Sequence, residues 1–237
     1  MRALILTLAL ALSGCAVAPT APVPVPETRT APSAVPAPRM NPDVAARNFV
    51  NVVQRVEPVA EDICRAETRG VNCDFAVVVD DRQGLPPNAF QTIGPTGRPI
   101  IGFTLSLIAE ARNADELAFV LGHEAAHHIA GHLDRQRQSA LTGAMLAGAL
   151  ATLGGADVAT VENAQSFGAE VGARRYSKGF ELEADRLGTA IAAYAGYDPL
   201  RGAEYFTRSP DPGNVFLGTH PPNADRIATV RAAAARL

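Results

Sequence analysis

Asn113-Ala114-Asp115-Glu116-Leu117-Ala118-Phe119-Val120-Leu121-Gly122-His123-Glu124-Ala125-Ala126-His127 combines a helix start, an apolar face and a histidine pair in one run. Asn113 offers an N-cap and Glu116 stands three residues on, a capping-box arrangement. Leu117, Phe119, Val120 and Leu121 then supply the buried face of an amphipathic helix. On that helix His123 and His127 project from one face, about 40° apart at 3.6 residues per turn. Two imidazoles on one rigid helix suit a tetrahedral Zn²⁺, with Glu124 beside them as a general base. The chain has five histidines, and four of them fall between positions 123 and 132. A chance match on a solvated helix explains that clustering poorly.

Catalytic zinc takes three protein ligands and leaves one position open, so a third donor is needed. His132 invites a longer pattern in which a bend after a glycine delivers a third histidine. The register is one place off: Ala130 and Leu133 occupy the positions that pattern needs. Along a continuing helix His132 would point nearly opposite His123. His132 and His128 are therefore expected to be surface or packing residues. The better source is Phe180-Glu181-Leu182-Glu183-Ala184-Asp185. There Glu181 and Asp185 share a helix face, and Glu183 is displaced from Glu181 by about 200°. Glu181 is expected to bind metal while Asp185 orients a ligand imidazole. Alone, this acidic stretch would be read as an exposed helix; the histidine pair changes its meaning.

With both motifs in hand, the chain resembles peptidase family M48, which contains the CAAX prenyl endopeptidases, the HtpX-type membrane proteases and small periplasmic lipoprotein peptidases. The matching segments are Glu116 to His127 and Glu181-Leu182-Glu183-Ala184-Asp185, within a resemblance running from about Asn48 to the C-terminus. The resemblance implies one Zn²⁺ per chain held by His123, His127 and Glu181. It implies an α+β fold, mostly helical and zincin-like, with a small β-sheet or hairpin beside the active-site helix. It also implies that Asn88-Ala89-Phe90 forms a strand edge along which substrate adds. Thr219-His220-Pro221-Pro222 followed by Arg226 resembles a further segment of the family. There the histidine lies near the zinc, stabilising an oxyanion or filling the open metal position, and the arginine ties the segment to the site. The implied activity is endopeptidase cleavage of misfolded or envelope proteins. The alternative is a periplasmic chaperone or assembly factor for outer-membrane proteins, with cleavage secondary.

Outward from the motifs, Ala45–Ala60 carries Phe49, Val52, Val53 and Val56 at helical intervals, and Phe75–Val79 reads as a strand. Ala89–Ile93 and Pro99–Phe103 flank Gly94-Pro95-Thr96-Gly97 as a hairpin, and Leu105–Ala111 reads as a short helix. Ser139 to Gly172 is dominated by Ala and Gly. That composition allows a packed helical hairpin, a mobile flap or a membrane-touching segment. Helices are expected again at Phe180–Ala195 and from Asn223 onward.

At the other end, Met1-Arg2 and the apolar run Ala3–Leu12 read as an export signal, too short to span a bilayer. Leu12-Ser13-Gly14-Cys15 resembles the bacterial lipobox, which implies that Cys15 is the lipidation site and that Ala16 is consistent with sorting to the outer membrane; the alternative is a plain signal peptide with an incidental cysteine. Val17 to about Pro42 is rich in Pro, Ala, Val and Thr and reads as an extended tether. The expected organisation is a signal peptide at 1–14, a lipidated cysteine and tether at 15–42, and a metallopeptidase domain at 43–237. That places the domain on the periplasmic side of the outer membrane, with polypeptide substrates, the membrane and the outer-membrane assembly machinery as partners. In such an oxidising compartment Cys64 and Cys73 are expected to pair as a structural disulfide; the alternative is two buried thiols. The net charge of −3 and the lack of a Lys/Arg run exclude a nucleic-acid partner on electrostatic grounds.

Overall fold

The computed structural model describes residues 40–237 apart from 176, 216, 217 and 219. The expected signal peptide, Cys15 and most of the expected tether lie outside the described residues. The first helix, α1 (Pro42–Glu67), is capped by Asn41, whose side chain accepts from Asp43 N, and buries Phe49, Val52, Val56, Ala60 and Cys64. It runs through Pro58 and ends about two turns beyond the expected limit of Ala60, and within that extension Cys64 is joined to Cys73 by a disulfide.

Three strands follow: β1 (Ala76–Asp80), β2 (Ala89–Ile93) and β3 (Pro99–Thr104), in the spatial order β1-β3-β2. β1 and β3 run parallel with Ala76 opposite Ile100, while β2 and β3 form the expected antiparallel hairpin with Phe90 opposite Gly102. Central β3 is the buried strand, and the Phe103 ring meets Phe49 of α1 edge-on at 5.1 Å. Among the described residues β2 pairs on one side only, which leaves its other edge open.

The rest is helical, giving the α+β, mostly helical fold expected. α2 (Leu105–Glu110) leads into α3 (Ala114–Ile129), the motif helix. α4 (His132–Leu153) and α5 (Val158–Arg175) form a helical hairpin, and α6 (Ser177–Tyr194) carries the acidic motif. In the hairpin Gly143, Gly148, Gly168 and Gly172 face the opposite helix, where a Cβ would collide with backbone or with Gln165. Leu141, Met145, Leu146, Leu150 and Leu153 remain exposed. Among the described residues no helix is long and apolar enough to cross a membrane.

A short α7 (Pro199–Gly202), a 3-10 turn at Ala203–Thr207 and α8 (Asn223–Ala234) complete the fold. The sequence had shown neither α7 nor the turn, since Asp198-Pro199 starts a helix too short to display a period. The core lies between α1, the sheet, α3 and α6, with Leu117, Leu121, Ala125 and Ile191 all but inaccessible.

Candidate metal centre

The placement of α3 begins at its cap. Asn113 Oδ1 accepts from Glu116 N at 3.0 Å, and Glu116 Oε2 accepts from Arg112 N at 2.9 Å. The Glu116 carboxylate, 1% exposed, is also gripped by both terminal nitrogens of Arg208 at 2.7 Å. Further along, α3 crosses α6 where Gly122 meets Gly188. A Cβ on Gly188 would stand 2.8 Å from His123 N and 2.9 Å from His123 Cα. This backbone contact lets α6 approach closely enough for Glu181 to reach both motif histidines.

His123 Nε2 and His127 Nε2 lie 3.0 Å apart. Glu181 Oε2 is 3.6 Å from the first and Glu181 Oε1 is 3.4 Å from the second. One ligand atom from each of the three residues falls within 4.8 Å of the others. The Nδ1 atoms are engaged elsewhere: that of His123 with Asp185 Oδ1 at 3.0 Å, and that of His127 with His132 Nδ1 at 2.8 Å. With Nδ1 occupied, the Nε2 lone pairs and the carboxylate share one space. Two imidazole nitrogens and a carboxylate oxygen are a donor set suited to Zn²⁺, so the residues present fit the metal that the sequence implied.

Electrostatics agree with a cation-seeking cluster. Burial opposes charge on Glu181, but hydrogen bonds from His123, His127 and His220 outweigh it and hold the carboxyl far below the usual range. Burial likewise opposes the imidazolium of His123, yet its bonds to Asp185 and Glu181 raise that ring to about 9. Protons and a metal compete for these nitrogens. Glu124 lines the same cleft, and its carboxyl is pushed up chiefly by burial.

Asp185 is fully buried and receives Arg226 Nε at 2.8 Å and Arg226 Nη2 at 2.6 Å. Burial would raise its carboxyl, but Arg226 and His123 hold it low. The Arg226 guanidinium also lies 4.0 Å over the Phe206 ring, which fixes the start of α8 against the site. His220 Nδ1 sits 3.2 Å from Glu181 Oε2 with its side chain 56% exposed, at the rim of the cleft. Thr219 of that segment lies outside the described residues. Asn88, Ala89 and Phe90 line the opposite wall, Asn88 just before β2 and the other two on its open edge. Every residue the sequence singled out for the site, Cys15 aside, is thus in or beside one cleft, whereas the Cys64–Cys73 disulfide braces the end of α1 away from it.

The chain beyond the motif helix differs from expectation. α3 does not continue past Ala130: Gly131, with φ +64°, breaks it and α4 begins at His132. This left-handed position voids the wheel that had turned His132 away. The ring is 4% exposed, stacks on Phe180 at 4.5 Å and contacts His127. Burial is the main reason its basicity falls to about 4. Glu183, displaced from Glu181 as expected, meets His132 Nε2 at 3.2 Å. Gly131 was the available signal, because a helical period cannot be carried across a glycine that ends a helix. His128 does serve packing: its Nε2 lies 2.8 Å from Asn72 O and its ring meets Phe75 edge-on.

Comparison with known proteins adds two findings. Residues 47–234 match the model of peptidase family M48. A protein of Vibrio cholerae described as a "putative beta-barrel assembly-enhancing protease" is 37% identical over 139 residues, covering 53% of this chain and 28% of that protein. The chain therefore spans well under a third of that relative's length. The family match takes in both motifs, the sheet and every helix of the cleft, and the chain belongs to peptidase family M48.

Proposed function

We propose that the chain is a zinc-dependent endopeptidase of the periplasmic face of the outer membrane, anchored through lipid on Cys15 and acting on misfolded or envelope polypeptides. The observation that carries this is the convergence of His123, His127 and Glu181 with Glu124 in a cleft walled by an open strand edge. Zn²⁺ on those three donors would supply Lewis acidity toward a water molecule and a peptide carbonyl.

The remaining chemistry belongs to side chains of the chain itself. Glu124 accepts the proton of the attacking water and later delivers it to the leaving amine. Its raised carboxyl pKa suits both roles, since a stronger base takes the proton more readily. Asp185, held by Arg226, keeps the His123 ring oriented with hydrogen on Nδ1. His220, at the rim, is placed to donate to the developing oxyanion. The unpaired edge of β2 offers backbone hydrogen bonds to an extended substrate, and the apolar side chains of Val120, Tyr205 and Phe206 line the cleft beside it.

The test is Glu124→Gln. Zn²⁺ content is expected to be unchanged and hydrolysis of an unfolded outer-membrane protein to fall at least about 100-fold. Proteolysis at the wild-type rate in that variant would sink the assignment.

The similarity to the Vibrio protein described as a putative beta-barrel assembly-enhancing protease favours a second reading, in which the chain assists assembly of β-barrel proteins and cleavage is secondary. Complementation separates the two. Full rescue of a deletion strain by Glu124→Gln supports the assembly role, and loss of rescue supports the protease.

A further inference from the structure

Both histidines of the site need hydrogen on Nδ1 if Nε2 is to keep a lone pair for a ligand role. For His123 the partner that secures this is Asp185. For His127 it is another imidazole, that of His132, Nδ1 to Nδ1 at 2.8 Å. Between two ring nitrogens at that distance one carries the hydrogen, and a third group decides which.

That group is Glu183. His132 Nε2 lies 3.2 Å from Glu183 Oε2, which also accepts from Arg135 Nη1 at 2.9 Å. A carboxylate paired with an arginine only accepts hydrogen bonds. His132 must then donate from Nε2, its Nδ1 keeps a lone pair, and His127 supplies the hydrogen from its own Nδ1. The direction of the chain is fixed end to end, from His127 through His132 to Glu183.

We propose that His132 is a positioning residue of the metal centre, relaying the Glu183 carboxylate to His127 so that His127 Nε2 stays available as a ligand. This rests on His123, His127 and Glu181 being the metal donors. The fold holds the relay tightly. Gly131 turns the chain so that His132 starts α4 beside α6, Phe180 stacks on its ring at an angle of 13°, and Arg135 lies 4.4 Å over Phe180 while closing on Glu183. The three acids of α6 thereby divide the work: Glu181 is the ligand, Asp185 orients His123 directly, and Glu183 orients His127 through one intermediary.

The rival explanation is that His132 merely packs against Phe180, and substitutions separate the two. In the full chain, Zn²⁺ affinity is measured by chelator competition for wild type, His132→Phe and His132→Asn. Phenylalanine keeps the stacking surface but has no acceptor, and affinity is expected to fall about 10- to 100-fold. Asparagine gives up the ring but can place an acceptor oxygen near the Nδ1 position, and is expected to recover part of that loss. His132→Phe at wild-type affinity, or His132→Asn no tighter than His132→Phe, overturns the proposal. If either variant fails to fold by circular dichroism, Glu183→Ala, at a side chain 38% exposed, probes the same relay. It is expected to weaken Zn²⁺ binding, and unchanged affinity counts against the relay. Nitrogen-15 NMR of the Zn²⁺-loaded wild type supplies a readout that packing does not move: His132 is expected as the Nε2–H tautomer and His127 as Nδ1–H, and the reverse tautomers refute it. A wild type that binds no Zn²⁺ refutes the metal centre itself, whereas tight wild-type binding with indifferent variants refutes only the relay.

Discussion

Replacing Gly188 by alanine tests whether helix separation sets the geometry of the metal centre. The new Cβ would stand 2.8 Å from His123 N, 2.9 Å from His123 Cα and 3.0 Å from Gly122 C. All three are backbone atoms, so no side chain can swing away. Ordinary contact between such atoms begins near about 3.5 Å, so α3 and α6 must part locally by roughly 0.6 Å or more. Overpacking of this kind costs about 1–3 kcal/mol, and backbone on both sides places it toward the upper end. Alanine returns about 1 kcal/mol of helix propensity, which leaves a net loss near 1–2 kcal/mol. In a chain of this size that is a fall in melting temperature of about 2–8 °C. The shift also carries Glu181 away from His123 and His127, whose contacts are 3.6 and 3.4 Å, so Zn²⁺ affinity falls as well. Gly179 lies in the same helix with nothing within 4 Å of a Cβ, so Gly179→Ala is the control and should be neutral or slightly stabilising. The assay is a thermal melt with and without Zn²⁺ plus chelator competition. A Gly188→Ala protein that melts no lower than the control and binds Zn²⁺ equally would refute the reasoning.

Other perturbations follow from particular contacts. Arg208→Met removes the ion-pair partner of the buried Glu116 and should cost about 3–5 kcal/mol, read as a drop in melting temperature of the order of 10 °C. Cys64→Ser with Cys73→Ser opens a loop with a sequence separation of 9, and should cost about 2–3 kcal/mol in denaturant titration while leaving Zn²⁺ stoichiometry unchanged. Chelation of a sample holding free Zn²⁺ at about 100 times its Kd should remove about 2.7 kcal/mol of stability. A melt indifferent to chelator would count against the three-donor site.

Much of this arrangement was legible in the chain because it is built from local rules. The Asn113 cap, the apolar face of α3 and the four-residue histidine spacing each follow from helix geometry over a single unbroken element, and the Gly94–Gly97 turn announces the hairpin. Illegible parts depend on where one element stops and what another brings to it. The helical wheel for His132 runs across Gly131, where the backbone leaves the helix, so the direction it gives the ring fails, although the ring does pack, against Phe180. The apolar period of α1 was legible only to Ala60, whereas the helix runs on to Glu67, past the half-cystine Cys64. The Gly122–Gly188 crossing has no signature in either segment alone, since a glycine in a helix looks like a defect until its neighbour is known.

Asp185 and Glu183 point to a general property of the site. Each carboxylate that orients a motif histidine is itself fixed by an arginine from a different helix: Arg226 of α8 holds Asp185, and Arg135 of α4 holds Glu183. α3 contributes the rings and α6 the acids, but the orientation of each ring is settled by a third helix. Orienting partners of this kind fix the tautomer and position of a ligand ring and raise its basicity. The helical hairpin that α4 opens reaches the candidate donors through His132, which meets His127 and is backed by Glu183 and Arg135, and the C-terminal helix α8 reaches them through Arg226, which contacts Asp185, His123 and Glu181. A displacement of either element would therefore change how one histidine presents its Nε2, which makes the hairpin and α8 two places from which this site can be disturbed.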